Sequence, residues 1–94
     1  MKEIKTKDKF KDATEEQVRA ALDDPNPHNA LAREVVRLFE GYTANFAEHC
    51  QRIGGIPEKI VRATPATAIE RVAMELMDQA IKLTIQSEIK GRAH

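Results

Sequence analysis

The stretch Thr64-Pro-Ala-Thr-Ala-Ile-Glu-Arg-Val-Ala-Met-Glu-Leu-Met-Asp-Gln-Ala-Ile-Lys-Leu-Thr-Ile-Gln-Ser-Glu-Ile-Lys90 decides the fold. At about 100° per residue, Ile69, Val72, Ala73, Leu76, Ala80 and Leu83 line up in one stripe. Met74, Met77, Ile81 and Ile85 form a second stripe beside it, and Arg71, Glu75, Asp78, Gln79, Lys82 and Gln86 fill the rest. The apolar arc spans about 220°, whereas a helix packed on one side needs a stripe only somewhat wider than about 100°. One neighbouring helix covers one stripe, so the other needs a second partner. In a chain of 94 residues the expected partner is another copy of itself, with Met74, Met77, Ile81 and Ile85 at the oligomer interface.

Upstream, Leu31, Val35, Leu38, Phe39, Tyr42, Phe46, Cys50 and Ile53 recur at three- and four-residue spacing and predict a second long helix over 27–53. Asn26-Pro27 supplies a cap and a first-turn proline, and Gly54-Gly55 ends the run. Glu34–Arg37 and Glu48–Arg52 are placed to pair on its wet side, and Gly41 interrupts it outside the apolar stripe, marking a bend or a close approach of another chain. Thr14-Glu-Glu-Gln17 reads as a capping box opening a short helix over 15–23, which Asp23-Asp24-Pro25 stops. Residues 57–62 are read as one further helical turn with Ile60 and Val61 inward. The last helix is expected over 65–90, led by Thr64-Pro65 with Thr67-Ala-Ile-Glu70 as a competing box one turn later, and Gly91 ends it. The expected fold is all-α: a long antiparallel helical hairpin with a short N-terminal helix, packed into an oligomeric bundle. The expected organisation is a basic flexible arm (1–13), a single helical domain (14–91) and a tail (92–94).

Fifteen Lys and Arg balance fifteen Asp and Glu, which argues against a nucleic-acid-binding surface, since that rests on basic excess. Lys2, Lys5, Lys7, Lys9 and Lys11 concentrate in the arm, where they are read as a solubilising terminus. Cys50 is the single cysteine, so no intrachain disulfide forms, and the count suits a reducing compartment. No apolar run approaches the roughly 18 residues of a membrane span, and the N-terminus lacks a signal-peptide core. The expected location is cytoplasmic, with no membrane partner.

Catalysis finds no support in the pattern. His28, His49 and His94 share no helical face, which gives no metal-ligand spacing, and no cofactor motif is present. Glu48, His49 and Cys50 are consecutive helical positions pointing about 100° apart, so they do not converge. The protein is expected not to be an enzyme. One constellation stands out: Lys59, Arg62, Thr64, Thr67 and Arg71 surround a helix start, combining unpaired backbone N–H groups, hydroxyls and formal positive charge. These five residues are the expected anion or phosphate site. The competing location is the lysine arm with Tyr42 and His49.

The segment from Pro65 to Ile89 resembles the second helix of the helical-hairpin sponges that phages use against CBASS and Thoeris immunity. In those families a proline-led helix carries a glutamate and then a leucine–alanine pattern, matched here by Pro65, Glu70, Leu76 and Ala80. The resemblance implies an oligomer that sequesters cyclic oligonucleotide or ADP-ribose-type signals without turning them over, and no ligand residue is carried over from it. The expected function is such a non-catalytic nucleotide-binding sponge, with itself and a cyclic nucleotide as partners. The alternative is an anti-defence protein–protein inhibitor or adaptor, whose partner is a host protein complex.

Overall fold

A computed structural model describes residues 4–57 and 64–92, with side chains as far as residue 87. Among these residues there is no strand. A 3-10 turn at Asp8–Phe10 is followed by helices α1 (Glu15–Asp23), α2 (Ala30–Ile53) and α3 (Ala68–Arg92). The three helices pack on one another, α2 against α3 most extensively.

Local signals set most of the boundaries. The Thr14 hydroxyl accepts from the Gln17 amide at 3.1 Å, and the Gln17 side chain accepts from the Thr14 amide at 3.0 Å, completing the expected capping box. α2 ends where Gly54 enters the left-handed region at φ 78°, and the amides of Gly54 and Gly55 both donate to the Cys50 carbonyl.

Two helix starts differ from expectation. α2 begins three residues later than the proline-led start at Pro27, because Asn29 is the cap: its side chain accepts from Leu31 and Ala32, both at 3.1 Å. Asn26 instead closes a turn, with its side chain accepting from the His28 amide and its carbonyl from the Asn29 amide. Asp24 accepts from the Asn29 side chain at 2.8 Å and orients the cap. α3 starts at Ala68, so the Thr67 box prevails over Thr64-Pro65, and it continues through Gly91 to Arg92. The turn expected over 57–62, with Ile60 and Val61, falls outside the described residues but for Pro57.

The methionine stripe, expected at an oligomer interface, is covered within the single chain. Met74, Met77 and Ile81 are 6%, 4% and 7% exposed in a single chain, and Ile85 packs against the same core. They share that core with Val18 of α1 and with Val35, Leu38 and Tyr42 of α2. The wide arc is covered because α3 has three neighbours, not one: α1, α2 and the N-terminal segment, whose Ile4, Phe10 and Ala13 pack on the core. Ile69, Val72 and Ala73 of the first stripe are fully buried, each large side chain contributing about 1.5–3 kcal/mol, while Leu83 at the far end of that stripe is 66% exposed. The arc thus rotates inward along α3, trading Leu83 for Ile81 and Ile85.

Residues 4–13, expected as a flexible arm, are instead laid across the helices. Polar contacts tie this segment to both α2 and α3, and Ile4 lies directly on Gly41. The close approach signalled by Gly41 is therefore made by the chain's own N-terminal segment.

Candidate functional site

The start of α3 is where sequence and structure meet. Thr67 caps the helix: its hydroxyl accepts from the Glu70 amide at 3.2 Å and donates to the Glu70 carboxylate at 2.6 Å. The Thr6 hydroxyl stands 2.7 Å from that of Thr67 and 3.0 Å from Glu70 Oε2, so its one proton serves one or the other. Glu70 is only 6% exposed. A helix N-terminus favours negative charge, and here the chain's own carboxylate occupies that position.

Of the five residues expected to hold an anion, Thr67 is engaged as described and Arg71 reaches Glu15 of α1 at 3.5 Å. Thr64 is exposed ahead of the helix, and Lys59 and Arg62 lie outside the described residues. Arg71 belongs to a surface network in which Arg19 bridges Glu15 and Glu75, each at 2.7 Å. These groups are 40–54% exposed, so water screens the pairs and they contribute little to stability.

A second buried carboxylate sits one helix away. Glu34 of α2, expected on the wet side, is 3% exposed, and Arg37 binds it through two nitrogens at 2.6 and 3.0 Å. The Lys7 amide donates to the same carboxylate at 2.8 Å, and Arg37 donates to the Lys5 carbonyl at 2.8 Å. The Arg37 hydrogen bond outweighs burial and holds the Glu34 carboxyl below its ordinary range. Beside it, Tyr42 points its hydroxyl at the Ile4 carbonyl, 3.5 Å away. Burial, reinforced by the charge of Glu70, pushes the Tyr42 phenol up to about 12. The competing location of arm and Tyr42 is thus a real contact, whereas His49 is half-buried further along α2.

The result is a groove between α2 and α3 with Gly41 in its floor and Glu34 and Glu70 in its walls, filled by residues 4–7. Thr6, Glu34, Gly41 and Glu70 were not among the expected site residues. Gly41 carried the one usable signal, a glycine inside an otherwise regular helix. A Cβ there would lie 3.0–3.1 Å from three Ile4 side-chain carbons.

Among the described residues no group of three His, Cys, Asp or Glu side chains is placed to hold a metal ion, and no helix is long and apolar enough to cross a membrane. Cys50 is half-buried as a free thiol. Compared with known protein families, curated proteins and solved structures, the chain matches none.

Proposed function

We propose that this chain is a non-catalytic binding protein acting by protein contact, as a helical inhibitor or adaptor. The observation that carries this reading is the occupied start of α3. Thr67 and Arg71 already bind Glu70, Thr6 and Glu15, and Glu70 brings negative charge to the spot a phosphate needs. Val36, Ile53, Ile56 and Leu83 meanwhile expose 44–66% of their surface, apolar area suited to a protein partner. In this reading the long helices run antiparallel as a hairpin, and the protein is cytoplasmic and self-associates.

The nucleotide sponge is the second reading. It draws support from the exposure of Thr64 and from Arg71, whose side chain is 54% exposed one turn into α3. A cyclic oligonucleotide bound at Thr64, Thr67 and Arg71, with Lys59 and Arg62, has to part Thr67 from Glu70 and Arg71 from Glu15.

Thermal denaturation with a panel of cyclic di- and trinucleotides separates the two readings, because a ligand that binds only the folded state raises the melting temperature. No shift is expected. A tagged chain is expected to capture one defined protein from its own cells, and Ile53→Asp with Ile56→Asp to abolish capture at unchanged helicity. A rise in melting temperature with any cyclic nucleotide, removed by Arg71→Ala, would overturn the protein-contact reading in favour of the sponge.

A further inference from the structure

The strap at residues 4–7 is held by side chains, not by a ladder of backbone bonds. Ile4 lies on Gly41, and its carbonyl is 3.5 Å from the Tyr42 hydroxyl. Arg37 donates to the Lys5 carbonyl, and the Lys7 amide donates to Glu34, both at 2.8 Å. Thr6 reaches Thr67 and Glu70 on α3.

We propose that residues 4–7 are a lid that opens and closes on the Gly41 groove of their own chain while the three helices stay folded, with the Glu34–Arg37 pair as its latch and the Asp8–Phe10 turn as its hinge. The inference stands apart from the protein-contact reading above.

Three observations carry it. The first is what remains when the strap lifts. Glu34 keeps both of its bonds to Arg37, and Glu70 keeps the Thr67 hydroxyl, so each carboxylate retains a partner on its own helix while water replaces the strap. The helix caps are also made locally: Thr14 with Gln17, Asn29 with Leu31 and Ala32, Thr67 with Glu70. The second is the division of the core. Leu38, Ile69, Val18, Val35 and Val72 are its largest fully buried side chains, and all belong to the helices, whereas Ile4 is only partly buried. A few bonds and one partly buried side chain offset the entropy of ordering the strap by a narrower margin than the packed helices offset theirs. The third is the hinge. The Phe10 amide donates to the Lys7 carbonyl, the Lys11 amide to the Asp8 carbonyl and the Ala13 amide to the Phe10 carbonyl, so the turn closes on itself, and Phe10 packs on the core as an anchor. The latch reads main chain: Arg37 takes a carbonyl and Glu34 an amide, while the Lys5 and Lys7 side chains are exposed.

The test uses the full chain and its only tyrosine, Tyr42, which is 9% exposed beside Ile4 in a protein without tryptophan. Lys7→Pro removes the latch amide at a position whose φ of −62° proline accepts, and Lys7→Ala keeps the amide. Lys7→Pro is expected to raise acrylamide quenching of tyrosine fluorescence at least about twofold with unchanged helicity, and Lys7→Ala to quench like the parent. In the unaltered chain, exchange of the Lys7 amide is expected to be slowed at least about tenfold relative to an unstructured peptide and to respond little to low urea, whereas the Leu38 and Val72 amides respond steeply. Lys7 exchanging in step with Leu38 and Val72 would show that the strap leaves only on global unfolding and overturn the proposal. A Lys7 amide with no protection, unchanged quenching in Lys7→Pro, or loss of helicity in that variant would each overturn it as well.

Discussion

Replacing Gly41 by alanine tests the strap contact with one methyl group. In an ordinary helix interior the change stabilises by about 1 kcal/mol, since alanine loses less backbone entropy than glycine. Here the new Cβ meets Ile4 Cδ1 at 3.0 Å and its two Cγ carbons at 3.1 Å, closer than carbons pack. If Ile4 stays, overpacking costs about 1–3 kcal/mol. If it leaves, its partial burial is lost together with the bonds from Tyr42 and Arg37 that hold this end of the strap. The net expectation in the full chain is therefore no gain, or a loss of up to about 2 kcal/mol. Ile4→Ala removes all three contacting atoms, and in that background Gly41→Ala is expected to stabilise by about 1 kcal/mol. The sign reversal is the prediction, a coupling of about 1–3 kcal/mol between residues far apart in sequence. Urea unfolding of the four proteins, followed by far-ultraviolet circular dichroism, reads it: with a slope of about 2 kcal/mol per molar, each kcal/mol moves the midpoint by about half a molar. Amide exchange at Lys7, whose N–H is held by Glu34, is expected to accelerate in the Gly41→Ala chain. An equal stabilisation by Gly41→Ala with and without the Ile4 side chain would refute the packing of Ile4 on α2.

Met77→Asp places a carboxylate at a position 4% exposed in the single chain and is expected to cost at least about 3 kcal/mol, seen as loss of cooperative thermal unfolding. A variant that stays as stable as the parent and merely changes mass would return the methionine stripe to an interface. Acid should weaken the protein partly through Glu34. Its folded value is held below the ordinary 4.5 by Arg37, so its contribution is complete above that pH and is lost as pH falls through the lowered value. Glu34→Gln is expected to lower stability at pH 7 and flatten its fall toward pH 3, read as urea midpoints across that range; an unchanged slope would show that the Glu34–Arg37 pair does not contribute.

The capping box at Thr14 was legible because its partners lie three residues apart, and the end of α2 was legible because Gly54 can take a positive φ without strain. The starts of α2 and α3 were less so. Asn26 and Asn29 are both competent caps, and the Asp24 side chain bonded to Asn29 accompanies the choice between them. Thr64 and Thr67 compete in the same way, and Thr67 has Glu70 within its box and Thr6 against its hydroxyl. The candidate anion site was legible only as a convergence of residue types. Sequence spacing gives no sign that Glu15 would take Arg71 or that Glu70 would fill the helix start itself.

By itself the sequence determined the helices, because helix formation here rests on caps, glycines and apolar periodicity acting within a few residues. Tertiary structure alone decided what those helices face. The width of the apolar arc on α3 states how much surface must be covered but not by what, and α1, α2 and residues 4–13 together cover the methionine stripe within one chain. The same holds for the lysine-rich N-terminus. Its alternating polar sequence contains no local reason to be ordered, and it is held by contacts more than 25 residues away in sequence, to Glu34, Thr67 and Glu70. Such contacts depend on two helices first coming together to build the groove, and no local pattern encodes that encounter.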